Sequence, residues 1–469
     1  MKETKRRLEW FSIYDRTGME KHLARMAEKG WLLDKIDSGG WRYRRTEPKK
    51  LIFSVCYFPK ASAFDPGPSE EQETFYDFCQ HTGWTLAAAS AQLQVFYNER
   101  ENPVPIDTDP VTEVDAIHRS VKRGALPSQL ALLAICTLNA AMLVGRLVGD
   151  PIGVLSSPAN LVVGICWVIL FLLVAVEWGS YFLWHLKAVL AAEHGEFLDT
   201  HSHRSFQIGC LVVLAVVTVY FLAATFTSGN RLLMAVMALV LFLYVPAAFL
   251  LVFGIKGFMK RMKASAKTNL AVTLVGSIVL SLVIVGMITF GTLRAYNSGW
   301  FSRGGETYEY NGTTFTAYQD ELPLMLEDLL DGSFDHYSRE RHGEGSFLLA
   351  QYEMFQRPRY DAEGYRGLPD LEYTITVVKA PFLYGLCKDT LLHRYDYWND
   401  DLPEELWHSY QPADPAPWDA LEAYRWTTEF GPANWFLLCY ESRIVEITFD
   451  SDWEITPAQM AVVAEKLGS

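Results

Sequence analysis

Hydrophobic and polar positions are unevenly distributed along this chain. Five apolar runs crowd the middle third, at roughly 126–148, 161–184, 208–226, 232–255 and 270–293. Each is close to or above the about 20 residues a helix needs to cross a bilayer. A soluble core helix would interrupt such runs with a charged face, and these are barely interrupted. Ahead of them the pattern is short-ranged. "RLEWFSIYD" predicts a strand, and "TGMEKHLARMAEKG" places Met19, Leu23, Met26 and Ala27 at helical spacing. Glu20, Lys21, Arg25, Glu28 and Lys29 take its opposite side. Thr17 with Glu20 predicts a capping box, and Gly30 a left-handed C′ position. "SEEQETFYDFCQHTG" repeats this grammar: Ser69 as N-cap with Gln72, then Phe75, Phe78 and Cys79 facing inward, then Gly83.

After each glycine a tryptophan, Trp31 or Trp84, opens a strand. "WRYRR" and "LIFSVCYF" read as a hairpin between the two units, and "LQVFYNE" closes the set. The resulting order, β-α-β-β-α-β, is the ferredoxin-like arrangement of two similar halves. A tryptophan just past a helix C-cap packs back over the last turn. The twin Gly-Trp junctions are therefore expected to build the core rather than to stack a ligand, with Trp31→Ala and Trp84→Ala equally costly.

Charge sets the orientation of the spans. The approach to the first carries Arg119, Lys122 and Arg123; the second loop has Lys187 and Arg204; the fourth has Lys256, Lys260, Arg261, Lys263 and Lys267. The first loop, "GDPIGVLSSPAN", has neither Lys nor Arg, and the third only Arg231. By the positive-inside rule the N-terminus is cytoplasmic and, five being odd, the C-terminal third extracytoplasmic. Glu177 lies in the inner part of the second span and Arg146 near the outer end of the first, too far apart in depth to pair. An ionisable group inside a membrane is a functional candidate. The simpler reading is that Glu177 bonds a neighbouring helix.

The net charge of −14 belongs almost wholly to the last third: residues 1–125 hold 19 basic and 19 acidic side chains, residues 126–294 hold 10 and 5, residues 295–469 hold 12 and 31. No basic patch with interleaved aromatics marks a nucleic-acid partner. Strand-like alternation in "LEYTITVVK" and "WFLLCYESRIVEITF", and a closing helix capped by Thr456 with Pro457 and Gln459, predict an α+β domain. The acidic clusters Asp400, Asp401, Glu404, Glu405 and Asp450, Asp452, Glu454 lack EF-hand spacing and read as solvated surface. His194, His201 and His203 read as ordinary juxtamembrane polarity. No GxSxG or HExxH occurs, so neither a cofactor nor a catalytic or metal site is expected. Cys387 and Cys439 are the two cysteines on the outer side, where a disulfide is permitted and buried thiols are the alternative.

"MEKHLARMAEKGWLL", followed by "GWRYRR" and "FSVCYF", resembles the bacterial domain-of-unknown-function family 2812 over roughly residues 1–115. The resemblance implies a bacterial membrane protein whose gene neighbourhood often includes a PadR-like transcriptional regulator, and it brings no catalytic residues. The expected organisation is a cytoplasmic ferredoxin-like α+β module (1–115), a basic juxtamembrane linker (116–125), five transmembrane helices (126–294) and an acidic extracytoplasmic α+β domain (297–469). The expected function is non-enzymatic regulation or signal relay across the bacterial cell membrane. A transport or efflux accessory and an extracytoplasmic enzyme are the alternatives.

Overall fold

The computed structural model describes residues 3–468, apart from Trp10 and residues 38–39, 201–202, 228–230, 301–303, 400–402, 404–406 and 451. The fold is mixed α+β: among the described residues there are an N-terminal region of sheets and helices, five helices long and apolar enough to cross a membrane, and a β-rich C-terminal domain.

The N-terminal region is a tandem repeat. Strand β1 (Thr4–Arg7), helix α1 (Arg16–Glu28), β2 (Trp31–Asp37) and β3 (Gly40–Arg45) form one βαββ unit. Strand β4 (Ile52–Tyr57), α2 (Glu70–His81), β5 (Thr85–Ser90) and β6 (Leu93–Asn98) form the second. Each unit makes its own three-stranded antiparallel sheet, in order β1-β3-β2 and β4-β6-β5. The single ferredoxin-like sheet expected from the sequence is thus divided in two. The second and third strands of each unit pair with one bulge, between Leu33 and Lys35 and between Leu86 and Ala88. These equivalents are separated by the same interval as Trp31 and Trp84.

Several local expectations hold. Ser69 and Gln72 close a reciprocal capping box, and Gly30 and Gly83 adopt φ of +75° and +92°. A Cβ on Gly30 would lie 2.8 Å from the Thr46 carbonyl oxygen, so the position also demands a small residue. Others are corrected. Asp15, not Thr17, caps α1 and accepts from the Gly18 amide, because Thr17 is engaged elsewhere. Phe78 is 58% exposed: α2 buries Gln72 and Cys79, and Phe78 is turned about 100° away from that stripe. Residues 11–14, expected to continue a strand, form a turn closed by the Asp15 amide on the Ser12 carbonyl.

Helix α3 (Pro110–Gly124), capped by Asp109, occupies the stretch read as a linker. Val114, Ile117 and Val121 hold it in the N-terminal core. The membrane helices follow: α4 (Leu126–Gly149), then a short α5 (Pro151–Ser156), α6 (Pro158–Glu193) and α7 (Arg204–Thr227). Next, α8 (Arg231–Leu239) continues through a π-turn at Val240–Tyr244 into α9 (Val245–Arg261), and α10 (Ala266–Asn297) completes the set. The π-turn precedes Pro246, whose ring and missing N–H cannot fit an unbroken α-helical ladder. Helix α6 has 36 residues, about 54 Å at 1.5 Å each, well beyond a hydrocarbon layer of about 30 Å.

In the C-terminal domain, hairpin β7 (Glu306–Tyr310) and β8 (Thr313–Ala317) precedes the short helix α11 (Leu326–Leu329). A seven-stranded antiparallel sheet follows. It comprises β9 (Tyr337–Gly345), β10 (Leu349–Pro358), β11 (Leu371–Val378), β12 (Ser409–Ala413), β13 (Glu422–Thr428), β14 (Gly431–Cys439) and β15 (Arg443–Phe449), in order β12-β13-β14-β15-β11-β10-β9. Helix α12 (Tyr384–Leu392) lies between β11 and β12, and α13 (Pro457–Leu467) ends the chain with the Thr456–Gln459 capping box.

Alternation along the strands supplies two cores. Phe436, Leu438, Val445 and Ile447 meet Val463 and Leu467 of α13 on one face. Leu437, Cys439 and Ile444 meet Cys387 and Leu391 of α12, and Ile152 of α5, on the other. Ser346 Oγ donates to the Leu155 carbonyl at 2.6 Å, fastening the first interhelical loop to this domain.

Candidate functional site

The N-terminal repeat and the end of α6 share one core. Tyr14, at the turn before α1, is 2% exposed, and its ring lies 5.4 Å from both Tyr181 and Trp184 of α6. Tyr181, Trp184, Ala188 and Ala192 belong to the same buried cluster as Leu23, Leu33 and Ile117. The stretch of α6 from Trp178 to Ala192 is therefore as much a part of this module as α1. Residues 178, 181, 185, 188 and 192 recur three and four apart, a stripe of aromatic and small residues legible in the sequence as a packed face.

Polar bonds tie the same surfaces. Ser12 Oγ donates to Glu177 Oε2 at 2.9 Å, and Gln207 Nε2 of α7 donates to the same oxygen at 3.3 Å. Thr17 and Thr200 bond reciprocally, each backbone amide donating to the other's hydroxyl at 2.9 and 3.2 Å, and Thr200 Oγ1 donates to Asp15. Lys21 pairs with Asp199 at 3.2 Å. His118 of α3 bonds the Tyr181 hydroxyl at 2.7 Å, and its ring stacks on His185 at 4.3 Å. Farther along, Asn269 Nδ2 of α10 donates to the Phe64 carbonyl at 2.9 Å, and Lys256 lies 4.9 Å from the Phe64 ring.

A cavity of about 480 Å³ opens beneath this junction. Phe11 and Tyr14, Gln129 and Leu132 of α4, Leu173 and Trp178 of α6 and Leu211 of α7 are among its walls, and Glu177 is its one carboxylate.

A second polar group sits at the base of α1. Arg16 pairs with Glu113 at 2.5 Å and approaches Glu20 at 3.9 Å, while Glu20 accepts the Val55 amide at 2.9 Å. Burial, opposed by Arg16, pushes both Glu20 and Glu113 from the usual 4.5 up to about 7. Folding thus favours their protonated forms. The stability they contribute is whole below pH 4.5 and is lost as pH rises through about 7. Hydrogen exchange of the full-length protein, corrected for intrinsic rates, should show α1 and α3 better protected at pH 5.5 than at pH 8. Equal protection would refute this.

The two tryptophans differ. Trp84 is 3% exposed, packs with Cys56, Cys79 and Phe96, and donates from Nε1 to the Val104 carbonyl at 2.9 Å. Trp31 is half-buried, with Lys5 and Arg45 over its ring at 5.5 and 5.0 Å. Cys387 and Cys439 lie in the same core as separate buried thiols, both raised by burial to about 11. Neither should react with a maleimide at pH 7.5 until the domain is unfolded. Failure to label even in denaturant without reductant would instead mean a bridge. Among the described residues no group of three His, Cys, Asp or Glu side chains is placed to hold a metal ion. His201 and the cluster Asp400, Asp401, Glu404 and Glu405 lie outside the described residues. The carboxylate of Asp450 accepts the Asp370 amide at 3.2 Å.

Part of the module that makes these contacts matches a known family. Residues 15–126 match the protein family of unknown function DUF2812. The DUF2812 segment begins at the cap of α1, takes in both Gly-Trp junctions and α3, and ends at the first residue of α4. No curated protein and no solved structure matches the chain.

Proposed function

We propose that this chain is a non-enzymatic, signal-relaying protein of the bacterial cell membrane, in which the DUF2812 segment reads the position of α6. One observation carries the reading: the segment shares a buried core with the end of a membrane helix, and Ser12, just ahead of the segment, bonds that helix's Glu177. A module free on a linker would tolerate movement of the bundle. One whose Tyr14 is wedged against Tyr181 and Trp184 follows it.

In this reading the N-terminal module is cytoplasmic and the C-terminal domain extracytoplasmic. Support comes from charge and packing together. The module's contacts go to the second and fourth loop regions, which carry the Lys and Arg excess. The lysine-free first loop supplies Ile152 to the core of the C-terminal domain.

The test perturbs one end and reads the other. Ile152→Ala combined with Ser346→Ala loosens the first loop from the C-terminal domain, and hydrogen exchange is followed in the full-length protein in nanodiscs. A relay predicts severalfold faster exchange at residues 11–17 and 199–200. Unchanged exchange there would reduce the N-terminal module to a fixed cap on the bundle.

A further inference from the structure

We propose that the cavity at Glu177 is a binding site for a lipophilic cation, an apolar or aromatic body carrying one positive charge. The volume of about 480 Å³ falls within the range of small-molecule sites, about 300–1,000 Å³, and the walls have the chemistry of one. Around the cavity the aliphatic surface of Leu132, Leu173 and Leu211 alternates with the rings of Tyr14, Trp178 and Tyr181. Glu177 is the single carboxylate, and no Lys, Arg or His lines the cavity among the described residues.

The carboxylate is oriented without a direct ion pair: His203, a neighbour that can carry positive charge, stays beyond ion-pair distance. Both hydrogen bonds it receives, from Ser12 and Gln207, fall on Oε2 and come from neutral donors. Among the described residues Oε1 accepts no hydrogen bond and no cation comes within ion-pair distance of Glu177. Two donors from different elements thus fix the plane of the group, and its other oxygen is left to a visitor. A carboxylate among apolar walls is costly to hold charged without a counter-charge, and a bound cation supplies one. The aromatic rings of the same lining offer attraction for a cation and none for an anion. Gln129, at the start of α4, and the buried Trp178 Nε1, unpartnered among the described residues, are further polar groups of the lining and can bond a neutral part of such a molecule.

Access fits the same chemistry. Leu170, Leu173 and Leu211 belong to helices long enough to span a bilayer, while Phe11 and Tyr14 belong to the DUF2812-bearing module. The cavity therefore lies between membrane helices and the module, where amphiphilic cations accumulate at a membrane–water boundary. The site is independent of the relay reading, because occupancy is measured without any output from the N-terminal module.

The experiment is equilibrium dialysis of radiolabelled tetraphenylphosphonium against the full-length protein in nanodiscs, with uptake by empty discs subtracted. Tetraphenylborate, nearly the same shape with the opposite charge, runs in parallel. Saturable binding of the phosphonium is expected, with the borate at least tenfold weaker. Glu177→Gln, which keeps an acceptor for Ser12, should weaken the phosphonium at least tenfold. Leu173→Trp, which fills the cavity and leaves Glu177 in place, should abolish saturable binding. Absence of saturable binding, equal affinity for the two ions, or wild-type affinity in either folded variant would overturn the proposal. If Glu177→Gln does not fold, the Leu173→Trp variant and the borate comparison decide it.

Discussion

Trp84→Ala is expected to destabilise the second βαββ unit by about 3–5 kcal/mol, the usual result of truncating a fully buried aromatic. The indole is 3% exposed, closes the cluster of Cys56, Cys79 and Phe96, and satisfies the Val104 carbonyl, which would be left without that donor. Trp31→Ala should cost far less, about 1 kcal/mol, since that ring is half-buried and offers mainly a face to Lys5 and Arg45. Hydrogen exchange over residues 52–98 and 31–45 of the full-length protein reads both. Equal losses would mean that the two junctions are energetic equivalents, as their shared spelling suggested.

Tyr14→Ala should have the other large effect, about 3–5 kcal/mol, but at a different place. It empties the space between Tyr181 and Trp184 and removes the wedge that joins the module to α6. Exchange should quicken in residues 11–28 and in 178–192 together, with α2, whose Cys79 packs in a separate cluster, spared. Tyr14→Phe keeps the ring contacts and should stay within about 1 kcal/mol of the wild type. Quickening confined to residues 11–17 would show that the shared core survives without Tyr14.

Elements decided by local chemistry were legible in the sequence. The five spans, the Ser69 and Thr456 capping boxes and the left-handed Gly30 and Gly83 each rest on a few adjacent residues. What escaped was set by partners distant in the chain. Thr17 has the right spacing for a cap, yet its amide and hydroxyl are taken by Thr200, and Asp15 caps instead. Strand pairing is similarly non-local, and nothing in "GWRYRR" says that its sheet stops at three strands. Glu177 was visible as a candidate because charge is rare in a span. Its partners Ser12 and Gln207 were not, since a serine in a loop carries no signal until the fold brings it near. The continuation of α6 past Trp184 was readable from its three-and-four spacing, but apolar length alone ended the helix too soon.

The tandem βαββ units have a consequence for how this segment diverges among relatives. The two units share one strand order, and here they carry unequal duties. The first has its helix N-terminus and preceding turn locked to α6, so change at Tyr14, Asp15 or Thr17 disturbs the anchorage. The second closes a small core of its own around Trp84, and its helix leaves Phe78 open to the surroundings. The second unit thus meets the long helices through Phe64 rather than through the N-terminus of its own helix. Among DUF2812 relatives, sequence drift and newly acquired specificity should concentrate on the exposed side of α2, with Asp15 and Thr17 at the start of α1 held nearly constant.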